Sequence, residues 1–388
     1  MKIISARQPN YPIMMQPDLF RDGITRIIKG EIAMNWITVS IVTAYAIAAF
    51  LIVPLLAIGS EAGHYKKKEA QIHNGPIILS GTLTLPKSAA PYPCVVVQVA
   101  ASQPGMLDAA DDFFPKYLNQ MANGLARGGI ATLQYDMRGA DLSHKEYLEF
   151  TLEDFANDAL AAVQFLGKRS EIDSNRIGLC GLSEGAWTVA LAASRSKDVD
   201  FLILLESPSF PVEEADEAMA RARGTTEEEI QEMHRGLKQV YQASRSGKVD
   251  AELEAGIRKQ ATETLKNLPE KQRPPLDSFV QAQIDRILSR NFRYLLDFQP
   301  KEVFRKIKCP TLALFGELGL MVPAGGQPET MKAAFEAGGN MAFTMQMIPR
   351  ASHIFTDAKA GPQEIIPSKI VFAPGFPDVI VDWILQRK

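Results

Sequence analysis

Arg176-Ile177-Gly178-Leu179-Cys180-Gly181-Leu182-Ser183-Glu184-Gly185-Ala186 is the stretch from which the rest of the chain is read. Ile177 to Leu182 is an apolar run and reads as a short buried strand. From Glu184 onward, Ala186, Trp187, Val189, Ala190 and Ala193 recur at helical spacing. A strand, a sharp turn with serine at its apex and then a helix give Gly-x-Ser-x-Gly a mechanism. Gly181 and Gly185 remove side chains where strand and helix crowd together, so the Ser183 hydroxyl can stand exposed. The Glu184 N–H opens the helix, lacks a partner inside it and is free to point at a developing oxyanion. Ser183 is therefore the candidate nucleophile. The plainer alternative is a Gly-Ser loop joining two packed elements.

Strands and helices alternate outward from this point. Gln71–His73 and Pro76–Leu85 suit an opening antiparallel hairpin. Cys94 to Ala100 is rich in β-branched residues, as in a strand buried on both faces. Phe114 to Arg127 is helical and Gly128-Gly129 stops it; Ile130 to Tyr135 is the next strand. That strand ends in Asp136-Met137-Arg138-Gly139, where Asp136 and Arg138 are expected to satisfy loop backbone groups. Thr151 and Asp154 form a capping pair before a helix to about Lys168, and Phe201 to Leu205 is the strand after the Ser183 helix. The alternation predicts a parallel sheet with helices on its faces and ligands beyond the carboxyl ends of the strands. Ser183, the loop after Val99 and the residues after Leu205 then converge on one edge.

From Pro211 to about Lys306 the strand pattern gives way to charged helical segments, broken at Gly224, Gly247 and Pro274-Pro275. Residues 211–306 read as a helical cap over the strand ends, with Glu213 to Glu217 as a solvated face. The sheet resumes with Thr311 to Phe315. A helix from Glu329 to Ala337, a strand from Ala342 to Ile348 and a helix from Asp378 to Gln386 follow.

The 388 residues are 46% hydrophobic, enough for a large core, and a net charge of −3 carries no nucleic-acid signature. Cys94, Cys180 and Cys309 lie in or beside core strands, an odd count without metal-type spacing, which favours buried free thiols. Residues 1–31 form a polar segment, and 32–60 contain no charged residue. Within them, Trp36 to Leu56 is long and apolar enough to cross a bilayer. A membrane anchor is favoured over a cleaved signal ending at Ala57-Ile58-Gly59, because some thirty residues precede the apolar run. Arg21, Arg26 and Lys29 balance Lys66, Lys67 and Lys68 across it. Lys2 and Arg7 tip the large domain towards the extracytoplasmic side. The alternative is export after signal cleavage.

A serine nucleophile needs a base. His64 sits beside the apolar segment, His73 in the hairpin, His144 after the Asp136 turn and His234 in the insert. His353 lies in Pro349-Arg350-Ala351-Ser352-His353-Ile354-Phe355, directly after the last strand.

Tyr135-Asp136-Met137-Arg138-Gly139, Gly181-Leu182-Ser183-Glu184-Gly185, Gly316-Glu317, Val322-Pro323 and Ser352-His353-Ile354-Phe355 together carry a family likeness. From about residue 69 to the end, the chain resembles the bacterial α/β-hydrolase esterases with a helical cap after strand six, the EstD-like group. The resemblance implies an α/β-hydrolase fold, a mostly parallel sheet flanked by helices. It implies hydrolysis of small-molecule carboxylic esters through an acyl-serine, with no cofactor and no metal. The family order of nucleophile, acid and histidine makes His353 the base; a loop histidine bonded to backbone is the alternative. It makes the N–H groups of Ser102 and Glu184 the oxyanion donors.

Three positions depart from the family pattern. Leu182 stands where the family usually has histidine before the nucleophile, and Ala100-Ala101-Ser102-Gln103 where it has His-Gly-Ser-Gly. Gly316-Glu317-Leu318-Gly319 stands where Gly-Glu-x-Asp supplies the acid, and no Asp occurs between Asp297 and Asp357. Glu206, directly after the strand beside the nucleophile, is the candidate replacement acid, and Glu317 its rival. The plain alternative has Glu206 bonding backbone N–H groups at the cap hinge. The competing functions are a serine peptidase or thioesterase on the same fold, or a catalytically silent binding protein. Ser in place of Asp at the apex disfavours dehalogenase chemistry.

Overall fold

The computed structural model describes residues 65–98, 113–139, 144–319, 326–358 and 370–387, less several positions within 213–223 and 267–272. The apolar run Trp36–Leu56, His64, Ser102 and Val322-Pro323 lie outside the described residues. Among the described residues no helix is long and apolar enough to cross a membrane.

The strands are β1 (Tyr65–Asn74), β2 (Ile77–Pro86), β3 (Tyr92–Gln98), β4 (Ala131–Tyr135), β5 (Ile172–Leu182), β6 (Phe201–Leu205), β7 (Thr311–Gly316) and β8 (Phe343–Ile348). They form one sheet in the order β1-β2-β4-β3-β5-β6-β7-β8. β1 and β2 are antiparallel, as are β2 and β4, and every other neighbouring pair is parallel. The hairpin is longer than its apolar pattern suggests, because Tyr65 pairs with Pro86 and Asn74 with Ile77 around Gly75. Lys66, Lys67 and Lys68, read above as flanking the apolar run, belong to this edge strand. Lys67 Nζ donates to Asn119 Oδ1 (2.7 Å) and Lys68 Nζ to Glu171 Oε1 (3.1 Å). Exposed lysines on an edge strand also discourage further strand pairing.

Helices cover both faces. α1 (Phe113–Arg127) and α11 (Asp378–Leu385) pack on one face; α3 (Leu152–Leu166) and α4 (Glu184–Ala193) pack on the other. Strand residues alternate between the two cores. Leu179, Leu202 and Leu204 face α3 and α4, whereas Cys180, Ile203 and Leu205 face α1 and α11. This two-sided burial is why the central strands read as unbroken apolar runs. The three cysteines are free, with Cys94 and Cys180 buried. Burial pushes all three thiols up, Cys309 to about 12, which makes them poor nucleophiles.

Among the described residues, the partners of the Arg138 side chain are other side chains. Its Nε and Nη2 donate to the two oxygens of Asp158 on α3, both at 2.6 Å, and its guanidinium lies 5.4 Å from the Phe150 ring centre. Asn74 Nδ2 adds a third bond to Asp158 (2.8 Å), tying the hairpin, the β4 turn and α3 together. The Asp158 side chain is 1% exposed. Asp158→Ala leaves Asp154, at 3.5 Å, as the one carboxylate paired with Arg138 among the described residues and is expected to cost about 3 kcal/mol of unfolding free energy. Urea titration checks this; a loss under about 1 kcal/mol, the level of an exposed ion pair, removes the pair's structural role.

Between β6 and β7 the chain is helical: α5 (Glu227–Ser246), α6 (Ala251–Lys266), α7 (Leu276–Leu288), α8 (Arg290–Asp297) and α9 (Pro300–Phe304). The breaks fall where the sequence puts them. Gly247 ends α5 in the left-handed conformation and Pro275 caps α7. α5, α6 and α7 share a small core of Ala243, Leu253, Ile257, Val280 and Ile287. The insertion is fastened to the body through Asn291, whose N–H donates to Leu148 O (3.0 Å) and whose Nδ2 donates to Phe150 O (2.6 Å). In the acidic run, Glu217 pairs with Arg221 (2.9 Å) and His234 (3.3 Å) on the surface. The remaining short helix, α2 (His144–Tyr147), and α10 (Gln327–Ala337) complete the described elements.

Candidate active site

β5 ends at Leu182 and α4 begins at Glu184, leaving Ser183 alone to turn the chain at φ 57° and ψ −123°. A non-glycine residue there is strained and persists only where its surroundings hold it. The Ser183 N–H donates to Leu205 O and its carbonyl accepts from the Ala186 N–H, both at 2.9 Å. A Cβ on Gly181 would overlap the Gly185 carbonyl and lie 2.6 Å from Ala186 Cα, so only glycine permits helix and strand to approach this closely. Ser183 remains partly exposed at the apex. The N–H of Glu184, first in the helix, has no intrahelical acceptor.

β6 stops one residue before Glu206. Since Leu182 pairs with Leu205, Glu206 follows the end of the strand next to the one that Ser183 follows. Its N–H donates to Leu314 O (2.9 Å), its φ is 47°, and its side chain is fully buried. Oε1 accepts the Gly316 N–H from the end of β7. Oε2 lies 3.4 Å from His353 Nδ1. That is an ion-pair distance and not an aligned hydrogen bond, and neither atom bonds anything else. Such contacts are often long without substrate and tighten on binding. Burial pushes the Glu206 carboxyl up from its ordinary value, while His353 and the Gly316 N–H pull it down.

His353 is held by its own loop and by the end of β7. Ser352 Oγ and Thr356 Oγ1 are 2.7 Å apart, the Ser352 N–H donates to Thr356 O (2.9 Å), and Phe355 stacks on Phe376 in the core. A Cβ on Gly316 would lie 2.6 Å from both Ala351 O and Ser352 O, so this glycine lets the histidine loop close down on β7. β5, β6, β7 and β8 are consecutive and parallel, which puts Ser183, Glu206, Gly316 and the His353 loop on one sheet edge.

The rival acid is elsewhere. Glu317 is exposed and its Oε2 accepts the Arg350 N–H (2.9 Å), so it braces the loop and does not meet His353. Glu206 is more than a backbone clamp, because one oxygen binds Gly316 and the other faces the imidazole. Of the other histidines, His234 pairs with Glu217 and His73 is exposed in β1. The Glu184 carboxyl is pushed up by burial and pulled back by the charge of Arg286 on α7 of the insertion. Two features went unread in the sequence: the Gly316 N–H as a carboxylate clamp, and the loop after Glu206. Trp187 Nε1–H holds that loop at Pro208 O (2.6 Å), and Gln327 accepts the Ser209 N–H. Among the described residues no group of three or more His, Cys, Asp or Glu could hold a metal ion.

An eight-stranded sheet of this order, with serine on an elbow after β5 and histidine after β8, identifies the architecture. The chain has the α/β-hydrolase fold. The family described as BAAT / Acyl-CoA thioester hydrolase C terminal matches residues 153–268, a span that includes Ser183, Glu206 and all of α6. Esterase EstD of Thermotoga maritima is 28% identical over 240 residues, covering 61% of this chain and 49% of the esterase. This chain thus spans about half the length of the curated relative it matches. Among solved structures, an esterase of Pyrococcus furiosus aligns at 17% identity with a TM-score of 0.48, covering 83% of this chain and 91% of that one. Est1E from Butyrivibrio proteoclasticus aligns at 15% identity with a TM-score of 0.42, covering 82% and 96%. The chain is similar to EstD-like esterases.

Proposed function

We propose that this chain is a serine hydrolase that cleaves carboxylic esters through an acyl-serine intermediate. The observation that carries the reading is the buried Glu206 carboxylate facing His353 Nδ1 at 3.4 Å, one strand from the strained Ser183. Ser183 Oγ attacks the ester carbonyl and His353 Nε2 takes its proton, then returns it to the leaving alkoxide. Glu206 holds the proton on Nδ1, the tautomer that leaves Nε2 free to accept. The N–H groups of Glu184 and Ser102 hold the oxyanion. Water then hydrolyses the acyl-serine by the same groups in reverse roles. The insertion 211–306 acts as a cap, and the charge of Arg286 on its α7 is felt by the carboxyl of Glu184 beside the nucleophile.

The match to a family described by acyl-CoA thioester hydrolysis favours thioesters as a second substrate class, because the same acyl-serine would form. The deciding experiment is a panel of p-nitrophenyl esters and acyl thioesters of increasing chain length, run beside labelling with a fluorophosphonate. Ester turnover with labelling lost in Ser183→Ala is the expected result. A folded protein that neither labels nor turns over any substrate is a silent binding protein.

The uncharged stretch 32–60 supports anchorage in a membrane with the hydrolase domain on the extracytoplasmic side. The full chain is expected to sediment with membranes and resist carbonate extraction. A protein lacking residues 1–60 keeps every strand from Tyr65 and is expected to stay active without sedimenting. Native protein beginning at Ser60 would replace the anchor with a cleaved signal.

A further inference from the structure

We infer that the carboxylate facing His353 fills a socket open from two strands, β6 and β7, and that an acid at position 206 and a side chain at position 319 exclude one another. The inference rests on the reading of Ser183, His353 and Glu206 given above. Gly319 sits three residues beyond the end of β7, with its N–H on Gly316 O (3.1 Å). Its backbone is not left-handed, unlike that of Gly326 or Gly339, so its conformation alone does not demand glycine. Space does. A Cβ at 319 would lie 2.7 Å from Glu206 Oε1, 2.9 Å from Oε2 and 3.0 Å from Cδ, and these are its three nearest heavy atoms. The obstacle to a side chain there is the Glu206 carboxylate itself.

The converse follows from the same distances. The carboxylate oxygens of an aspartate lie about 2.4 Å from its Cβ, given bonds of about 1.5 and 1.2 Å. With Glu206 trimmed, an aspartate at 319 can therefore bring its oxygens to within a few tenths of an ångström of the vacated positions, facing the Gly316 N–H and His353 Nδ1. The walls do not depend on Glu206. The Glu317 N–H is held by Ile348 O (3.1 Å) and the Leu318 N–H by Ala351 O (2.9 Å), which ties the 316–319 turn to the histidine loop. Both acids together would overlap and place two carboxylates where one ionises.

The test compares Glu206→Gly, Gly319→Asp and the double variant Glu206→Gly/Gly319→Asp with the wild type. Glycine at 206 suits the φ of 47° found there. The readouts are the pH profile of kcat/KM on an activated ester, the low-field proton signal of His353 Nδ1–H and the thermal midpoint. Glu206→Gly is expected to lose about 10⁴-fold and the low-field proton. The double variant is expected to regain about 10²-fold of that loss, together with the proton and a wild-type-like acid limb. Gly319→Asp alone is expected to melt below both the wild type and the double variant.

A folded double variant no faster than Glu206→Gly overturns the inference. So does a double variant that fails to fold when Glu206→Gly folds, or a Gly319→Asp protein as stable and active as wild type. If wild-type turnover proves independent of Ser183, the hydrolase reading fails separately. The low-field proton, lost in Glu206→Gly and restored in the double variant, still decides the socket.

Discussion

Ser183→Ala is expected to lower ester turnover by about 10³-fold or more and to leave thermal stability nearly unchanged. Alanine keeps the backbone of the elbow and removes only the partly exposed hydroxyl, so the N–H of Glu184, the proposed oxyanion donor, is retained. What remains is the small catalysis that binding and the oxyanion donors supply without a nucleophile. His353→Ala is expected to lose turnover on the same scale, since His353 is the histidine paired with the Glu206 carboxylate beside the elbow. Its stability is expected to behave differently. Removing the imidazole leaves the fully buried Glu206 with only the Gly316 N–H, and a stranded buried carboxylate costs about 1–3 kcal/mol or more.

The pH dependence separates the two variants. The Glu206 carboxyl is raised in the folded protein, so over that range the folded state binds more protons than the unfolded one. Its contribution to stability is full below the ordinary carboxylate range and is lost as pH rises through the raised folded value. His353→Ala removes a contact that pulls this value down, so the window widens upward and the loss at neutral pH grows. Thermal melts of both variants between mildly acidic and neutral pH check this. Near-wild-type turnover in either variant removes that residue from the mechanism.

Glu206→Gln is expected to reduce turnover by about 10⁴-fold, or roughly 5.5 kcal/mol of transition-state stabilisation. The amide keeps the size of the side chain and can still accept the Gly316 N–H. Its NH2 group, however, presents a donor to His353 Nδ1, which favours the tautomer with the proton on Nε2. That imidazole cannot accept the Ser183 proton. The loss should therefore fall mainly on kcat and ease at high pH, where hydroxide can stand in for the base. A residue with only a structural role would lose stability without this pH signature. Glu317→Gln is expected to change turnover by less than about threefold, because Glu317 touches Arg350 N–H and solvent. A large loss in Glu317→Gln alone returns the acid to the end of β7. No large loss in either leaves a Ser–His dyad.

The elements that the chain spells out locally were legible without coordinates. β6, from Phe201 to Leu205, has the bounds its apolar run predicts. The elbow at Ser183, the stop at Gly247 and the Thr151–Asp154 cap also follow from backbone sterics and near-neighbour hydrogen bonds, which act over a few residues. The alternation of β and α segments was enough to predict a parallel sheet, and with it the edge on which Ser183 and the residues after Leu205 meet.

Other features depend on where separate strands end. Lys66, Lys67 and Lys68 read as a charged flank of the apolar run, and their pairing with Leu85, Thr84 and Leu83 makes them part of an edge strand. Arg138 gave no hint of Asp158, twenty residues on and buried in a helix, because burial and packing choose the partner of a long side chain. Glu206 and Glu317 were equal in type and both close to strand ends. Only the tertiary structure points one carboxylate at His353 and the other at Arg350. The sequence alone determined that a serine, a histidine and a spare carboxylate share one edge of an α/β sheet. Which carboxylate fits beside the imidazole was decided by the space left at Gly319, a contact between chain segments more than a hundred residues apart that no local pattern encodes.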